Sequence, residues 1–203
     1  MNSKQLKWVY LIALALVWGS SFILIKRGLV GLSALQLGSL RIIFAALFLL
    51  LIGFKSLSKI PLHQWKYIAL TATLGTFIPA FLFSIAQTQI DSSVSAILNS
   101  LTPLNTMILG VLAFGLSFKR TQVIGVLVGL IGTFLLIING AIHHPERNYY
   151  YAILVIIASI CYATNVNLIK KYLSDLSPLT ITTGHLLVLL FPALHSLFFS
   201  RFF

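Results

Sequence analysis

The chain has 203 residues, 59% of them hydrophobic and only 8% charged, and 14 Lys and Arg against 3 acidic residues leave a net charge of +11. A mean hydropathy of +1.01 excludes a soluble fold, whose surface needs about a quarter of its residues charged. It also removes the nucleic-acid reading that the basic balance invites, and a single cysteine, Cys161, excludes an intramolecular disulfide.

Lys4 and Lys7 precede the first uncharged run, Trp8–Ile25, which ends at Lys26-Arg27 without a small-residue cleavage pattern. That predicts a retained first helix, not a secretory signal. The second run, Gly28–Phe54, is interrupted only by Arg41, and Lys55, Lys59 and Lys66 follow it. Five more runs come after: Tyr67–Ile90, Ser92–Phe118, Thr121–Pro145, Asn148–Ile169 and Leu176–Ser200. Crossing about 30 Å of hydrocarbon takes roughly 20 helical residues, so every run is long enough to span once. None alternates polar and apolar residues as a barrel strand does, and a spanning backbone must satisfy its own polar groups, which leaves helices. The expected fold is an all-α polytopic membrane helical bundle of about seven transmembrane helices.

Smaller features punctuate the runs. Pro79, Pro103 and Pro192 each remove a helical hydrogen bond in mid-run and offer a bend; Pro103, between Asn99 and Asn105, is the best candidate for a functional kink. Gly125, Gly129 and Gly132 form a smooth face for the approach of another helix. Trp8 and Trp65 sit at a run boundary as interfacial anchors do, and Trp18 lies deeper.

An N-terminus inside the cell puts Lys4, Lys7, Lys55, Lys59, Lys66, Lys119, Arg120, Lys170 and Lys171 on the cytoplasmic side, against Lys26, Arg27, Arg147 and Arg201 outside. The expected location is the cell membrane, with multiple passes and a cytoplasmic N-terminus. A shift of 144 residues lays Leu24–Leu35 over Leu168–Leu179 with 7 of 12 positions identical, including Ile-Lys and Leu-Ser-x-Leu at matching run boundaries. Five runs separate the copies, and five is odd, so the second copy enters the membrane from the opposite face: an inverted repeat. Residues 1–142 read as a first five-helix repeat and 143–203 as the first two helices of a second, which three further helices would complete.

Trp18-Gly19-Ser20-Ser21-Phe22, Leu40-Arg41 and Ala96-Ile97-Leu98-Asn99-Ser100-Leu101-Thr102-Pro103-Leu104, in this order and spacing, resemble the EamA-type branch of the drug/metabolite transporter superfamily. The resemblance implies ten helices in two inverted five-helix repeats, and movement of amino acids, other metabolites or drugs, often outward. Leu116 departs from that pattern, standing where the family commonly has Glu after the Gly that ends the fourth span.

At about 1.5 Å per residue, Ser20, Ser21, Arg41 and Asn99 all fall about 10 Å below the outer boundary. In the second copy Thr164 and Asn165 align with Ser20 and Ser21, and His185 with Arg41, at similar depth from the inner face. Two polar layers, one per face, suit alternating access, with Arg41, His185, Ser20, Ser21, Asn99 and Asn165 as the expected substrate-binding groups. A purely structural reading competes: Arg41 can snorkel to headgroups, and Ser, Thr and Asn can join helices. No Asp or Glu lies inside a run, so a carboxylate relay is missing and proton coupling would fall to His185; a facilitator or exchanger fits equally. Arg41 favours substrates bearing carboxylate or phosphate.

His143, His144 and Glu146 lack the complement of a metal site, and no nucleophile-base pair or phosphate loop is present, so neither metal, cofactor nor enzyme activity is expected. The expected function is secondary transport of small metabolites, as an exporter of amino acids or organic anions. The alternative is a truncated, non-transporting membrane protein or an assembly subunit. The partners expected are the lipid bilayer, a small-molecule substrate, and a second copy or a partner that supplies the missing half, with no nucleic acid.

Overall fold

The structure, a computed structural model, describes residues 3–117, 119–143 and 148–200. His144, Glu146, Arg147, Arg201 and Phe203 lie outside the described residues, as do the side chains of Lys4 and His143. Regular structure among the described residues is entirely helical. Six helical stretches are long and apolar enough to cross a membrane: Gln5–Gly28, Ala34–Lys59, Leu62–Gln89, Ser92–Phe114, Ala152–Tyr172 and Pro178–Phe199. The remaining run of the sequence is a helix of 24 residues, Arg120–His143.

Helix α1 (Ser3–Gly28) ends where the Lys26 ammonium donates to the Gln87 and Ile90 carbonyls at 2.7 and 3.0 Å. Those carbonyls close the third span, so Lys26 acts as the cationic cap that a helix C-terminus favours. Helix α2 (Ala34–Gly53) starts on a capping box: the Gln36 N–H donates to the Ser33 hydroxyl at 3.2 Å, and the Ser33 N–H donates to the Gln36 side chain at 2.9 Å.

The three prolines act in three ways. Span three runs as α3 (Trp65–Ala72), a π-helical turn over Thr73–Phe77, and α4 (Ile78–Gln89), with Pro79 in the first turn of α4. Pro79 lacks an N–H, and the wider turn before it accommodates the missing bond. Span four is broken outright at Ser100-Leu101 into α5 (Ser92–Asn99) and α6 (Thr102–Phe114), with Pro103 starting α6. Pro192 stays inside an unbroken α9 (Pro178–Phe199). Gly115, at φ 64°, terminates α6 in the left-handed region open to glycine. Helices α7 (Arg120–His143) and α8 (Ala152–Tyr172) complete the order.

Three apolar clusters stack along the bundle. Ile25, Leu37, Phe83, Ile90, Leu98 and Val155 pack at the end that carries Lys26. Ile42, Ala46, Ala72, Ala80, Leu186 and Leu189 fill the middle between α2, the third span and α9. Ile60, Ile68, Leu173 and Ile181 close the lysine-rich end, where the Gln64 amide also donates to both Asp175 carboxylate oxygens at 2.9 and 3.0 Å. Lipid is as apolar as these side chains, so close fit rather than burial from water holds the helices together. The most extensive pairing is α2 on α9. There Gly53 abuts the Thr183 side chain, and on the side of α9 toward α3 Gly184 leaves room for Ile60 and Ile68.

Helix α1 is peripheral. Only 6% of its spanning window is buried inside the bundle, against 39% for the stretch built on α2 and 28% for α8. It packs chiefly on α4 and α5, whereas α8 packs on the third span, α5 and α6.

Candidate functional site

The π-helical turn is the irregular point of span three, and α8 is laid against it. Gly75, inside the turn, meets the amide of Asn165: a Cβ at position 75 would overlap Asn165 Nδ2. The absent side chain lets the amide seat against the backbone. Asn165 Oδ1 is buried there without a hydrogen-bond partner. One turn earlier on α8, the Tyr162 ring packs on Phe83 at 6.1 Å between centroids. Tyr162 and Asn165 are three residues apart and share a helix face. Tyr162 and Asn165 thus lie on the part of α8 that packs on the third span at its π turn.

Arg41 itself is exposed, on a stripe with Phe44, Phe48 and Leu51, all exposed as well. A guanidinium on an apolar spanning face is costly unless it meets water, headgroups or a covering partner.

His185 sits in a different environment. It is 6% exposed on α9, and its Nε2 lies 2.8 Å from the Thr71 hydroxyl. That hydroxyl is also 2.5 Å from the Tyr67 carbonyl. A threonine has a single hydroxyl proton, so donation to Tyr67 leaves Thr71 accepting from Nε2–H and assigns the proton of the neutral ring to Nε2. Arg41 and His185, which align when the sequence is shifted by 144 residues, differ in setting: one is exposed and the other is enclosed against α3.

The other expected residues stay local. The Ser20 hydroxyl donates to the Val17 carbonyl at 3.0 Å and that of Ser21 to the Trp18 carbonyl at 2.7 Å, both on their own helix. Asn99 accepts from the Thr102 hydroxyl at 3.3 Å across the break in span four. Asn105, flanking Pro103, donates to Ser159 at 2.7 Å, and Asn167 donates to the Thr106 carbonyl at 3.1 Å. Those two bonds fasten α6 to α8.

Thr71, Gly75 and Tyr162 escaped the sequence reading. Thr71 and Tyr162 differ in no visible way from other polar residues in apolar runs. The pair Gly75 and Pro79, four residues apart, was the one available signal of an irregular turn. Gln87, fully buried with neither side-chain amide atom partnered, was also missed, as were Ser39 and Ser95, whose hydroxyls are buried and unpartnered.

The family model for the EamA-like transporter family matches residues 6–138. The chain belongs to that family. Relatives of this EamA-like chain include an uncharacterized transporter of Archaeoglobus fulgidus, 26% identical over 183 residues, which are 88% of this chain and 62% of the relative. An uncharacterized inner membrane transporter, YedA, of Escherichia coli K12 is 29% identical over 80% of this chain and 53% of its own length. A probable amino-acid metabolite efflux pump of Salmonella typhimurium is 32% identical over 60% of this chain and 39% of the pump. The EamA-like chain thus spans between about half and two thirds of the first two relatives. No solved structure matches it.

Proposed function

We propose that this EamA-like protein is a secondary transporter of small metabolites that carry a carboxylate, amino acids among them, and that it exports them by alternating access. The observation that carries the reading is the π-helical turn with its seated, unpartnered Asn165 carbonyl. Irregular backbone at membrane depth is tolerated where it is buried in protein or lines a water-filled cavity, and transporters commonly bind substrate at discontinuous helices. Asn165 Oδ1 would accept from a substrate amine or hydroxyl, and Arg41 would hold the carboxylate through paired N–H donors. Ser20, Ser21 and Asn99 would join from the first and fourth spans, and His185 would stand on the opposite gate. Support for amino-acid substrates comes from the name of the Salmonella relative, a probable amino-acid metabolite efflux pump.

The test is flux of an amino-acid and organic-acid panel in proteoliposomes. Saturable transport, reduced at least about tenfold in Arg41→Ala and partly restored in Arg41→Lys, is expected, since a charge-assisted contact is worth about 1.5–3 kcal/mol. Flux that is indifferent to position 41 would remove Arg41 from the path.

A second reading rests on α1. The inverted repeat expected from the sequence would place α1 and α8 in equivalent positions, yet 6% of one window is buried and 28% of the other. By that symmetry a further helical segment, from the same polypeptide or a partner, covers α1 and the Arg41 stripe, and the 203 residues alone do not transport. Absence of flux from folded protein selects this reading.

A further inference from the structure

Helix α7 packs on α5 and α6, and between it and α6 lies a groove of about 640 Å³. Thr102, Pro103, Thr106 and Met107 form one wall, and Gly125 and Gly129 of α7 form the other. The Thr102 hydroxyl is directed to Asn99 and the Thr106 hydroxyl to the Thr102 carbonyl at 2.7 Å, so the threonines offer the groove mainly their carbon atoms. The glycine face suits close approach of another helix, yet nothing lies within 4 Å of a Cβ added at Gly125 or Gly129. From Gln122 to Gly129 the groove runs about 10 Å along α7, most of the roughly 15 Å hydrocarbon depth of one leaflet.

Basic residues stand beside one end of it in the chain. Lys119 and Arg120 are exposed at the start of α7, whose first turn contains no acid. The Lys171 ammonium reaches from α8 to 5.4 Å above the ring of Phe114, the last residue of α6. We propose that this groove binds an anionic phospholipid, with one acyl chain between α6 and α7 and the phosphate against Lys119, Arg120 and Lys171. The apolar walls suit an acyl chain, and Lys119 and Arg120 directly precede Thr121 and Gln122 of the lining, at the end of the bundle where an anionic headgroup would meet them.

The experiment exchanges the purified chain into mixed micelles of phosphatidylglycerol and phosphatidylcholine and quantifies the lipid retained after gel filtration by mass spectrometry. Enrichment of phosphatidylglycerol is expected. Lys119→Gln, Arg120→Gln and Lys171→Gln together are expected to lower it at least about tenfold, since one charge at an anionic surface is worth about fivefold. Gly125→Leu fills the groove, leaves the charges in place, and is expected to lower the enrichment likewise. Gly129→Ala, a smaller filling, replaces it should that variant elute as aggregate. Lys55→Gln with Lys59→Gln, at the same end but beside α9, is expected to leave the enrichment intact. Equal loss in that control pair would reveal a diffuse basic face and overturn the proposal. So would enrichment undiminished by the filled groove, or retained lipid no richer in phosphatidylglycerol than the micelle.

Discussion

Thr71 and His185 show how much a single buried pair decides. Removing the Thr71 hydroxyl leaves the ring N–H of His185 without its acceptor between α3 and α9. Interhelical hydrogen bonds in membranes are worth about 0.6–2 kcal/mol. Thr71→Val is therefore expected to lower stability by about 1 kcal/mol, read as a reduced melting midpoint in detergent, while Thr71→Ser holds the wild-type value. An unchanged midpoint in Thr71→Val would mean that the ring finds another partner. His185 was legible from sequence as a polar residue within an apolar run. Its partner lies 114 positions away, and no local pattern encodes such a pairing. Ser20 and Ser21 illustrate the converse. Their residue type suited a binding layer, but a helical serine reaches its own backbone first.

At the scale of elements, proline and glycine mark the irregular points, and packing decides what becomes of each. Pro79, Pro103 and Pro192 look alike in sequence, yet one follows a π turn, one starts a half-helix after a break, and one is carried inside a continuous helix. Asn165 of α8 occupies the space beside Gly75 in the π turn. A methyl there must displace the amide, so Gly75→Ala is expected to destabilise by about 1–3 kcal/mol, the typical range for overpacking. Gly75→Ala with Asn165→Ala is expected to recover part of that loss, and melting midpoints of the four proteins in the cycle give the coupling. Strict additivity would separate the two residues. The seven runs and most of their ends were legible, because charge and capping residues mark where a chain leaves hydrocarbon. Pro79 and Pro103 marked where two runs are interrupted, but not the form each interruption takes, which depends on the neighbouring helix.

For the whole molecule, the basic residues predict how the bundle sits in the membrane. Val30 and Leu62 are strongly exposed at opposite ends. In a Cys161→Ser background, Val30→Cys is expected to react with an impermeant maleimide added to intact cells, and Leu62→Cys only after lysis. The reverse pattern would overturn the orientation drawn from the Lys and Arg count.

Sequence alone determined that the chain is a helical membrane protein and marked its spans, because hydrophobic length and charge placement are local properties that the bilayer reads directly. It also pointed to the EamA-like family, through short motifs in a fixed order. Tertiary structure alone decided that α2 lies along α9, that Asn165 seats on a π turn, that Arg41 is exposed where His185 is enclosed, and that the glycine face of α7 lines a groove. Each of these is a meeting of residues distant in the chain. Such meetings depend on which small residues let two helices approach and which side chains then fill the space, a property of pairs that no single run of sequence carries.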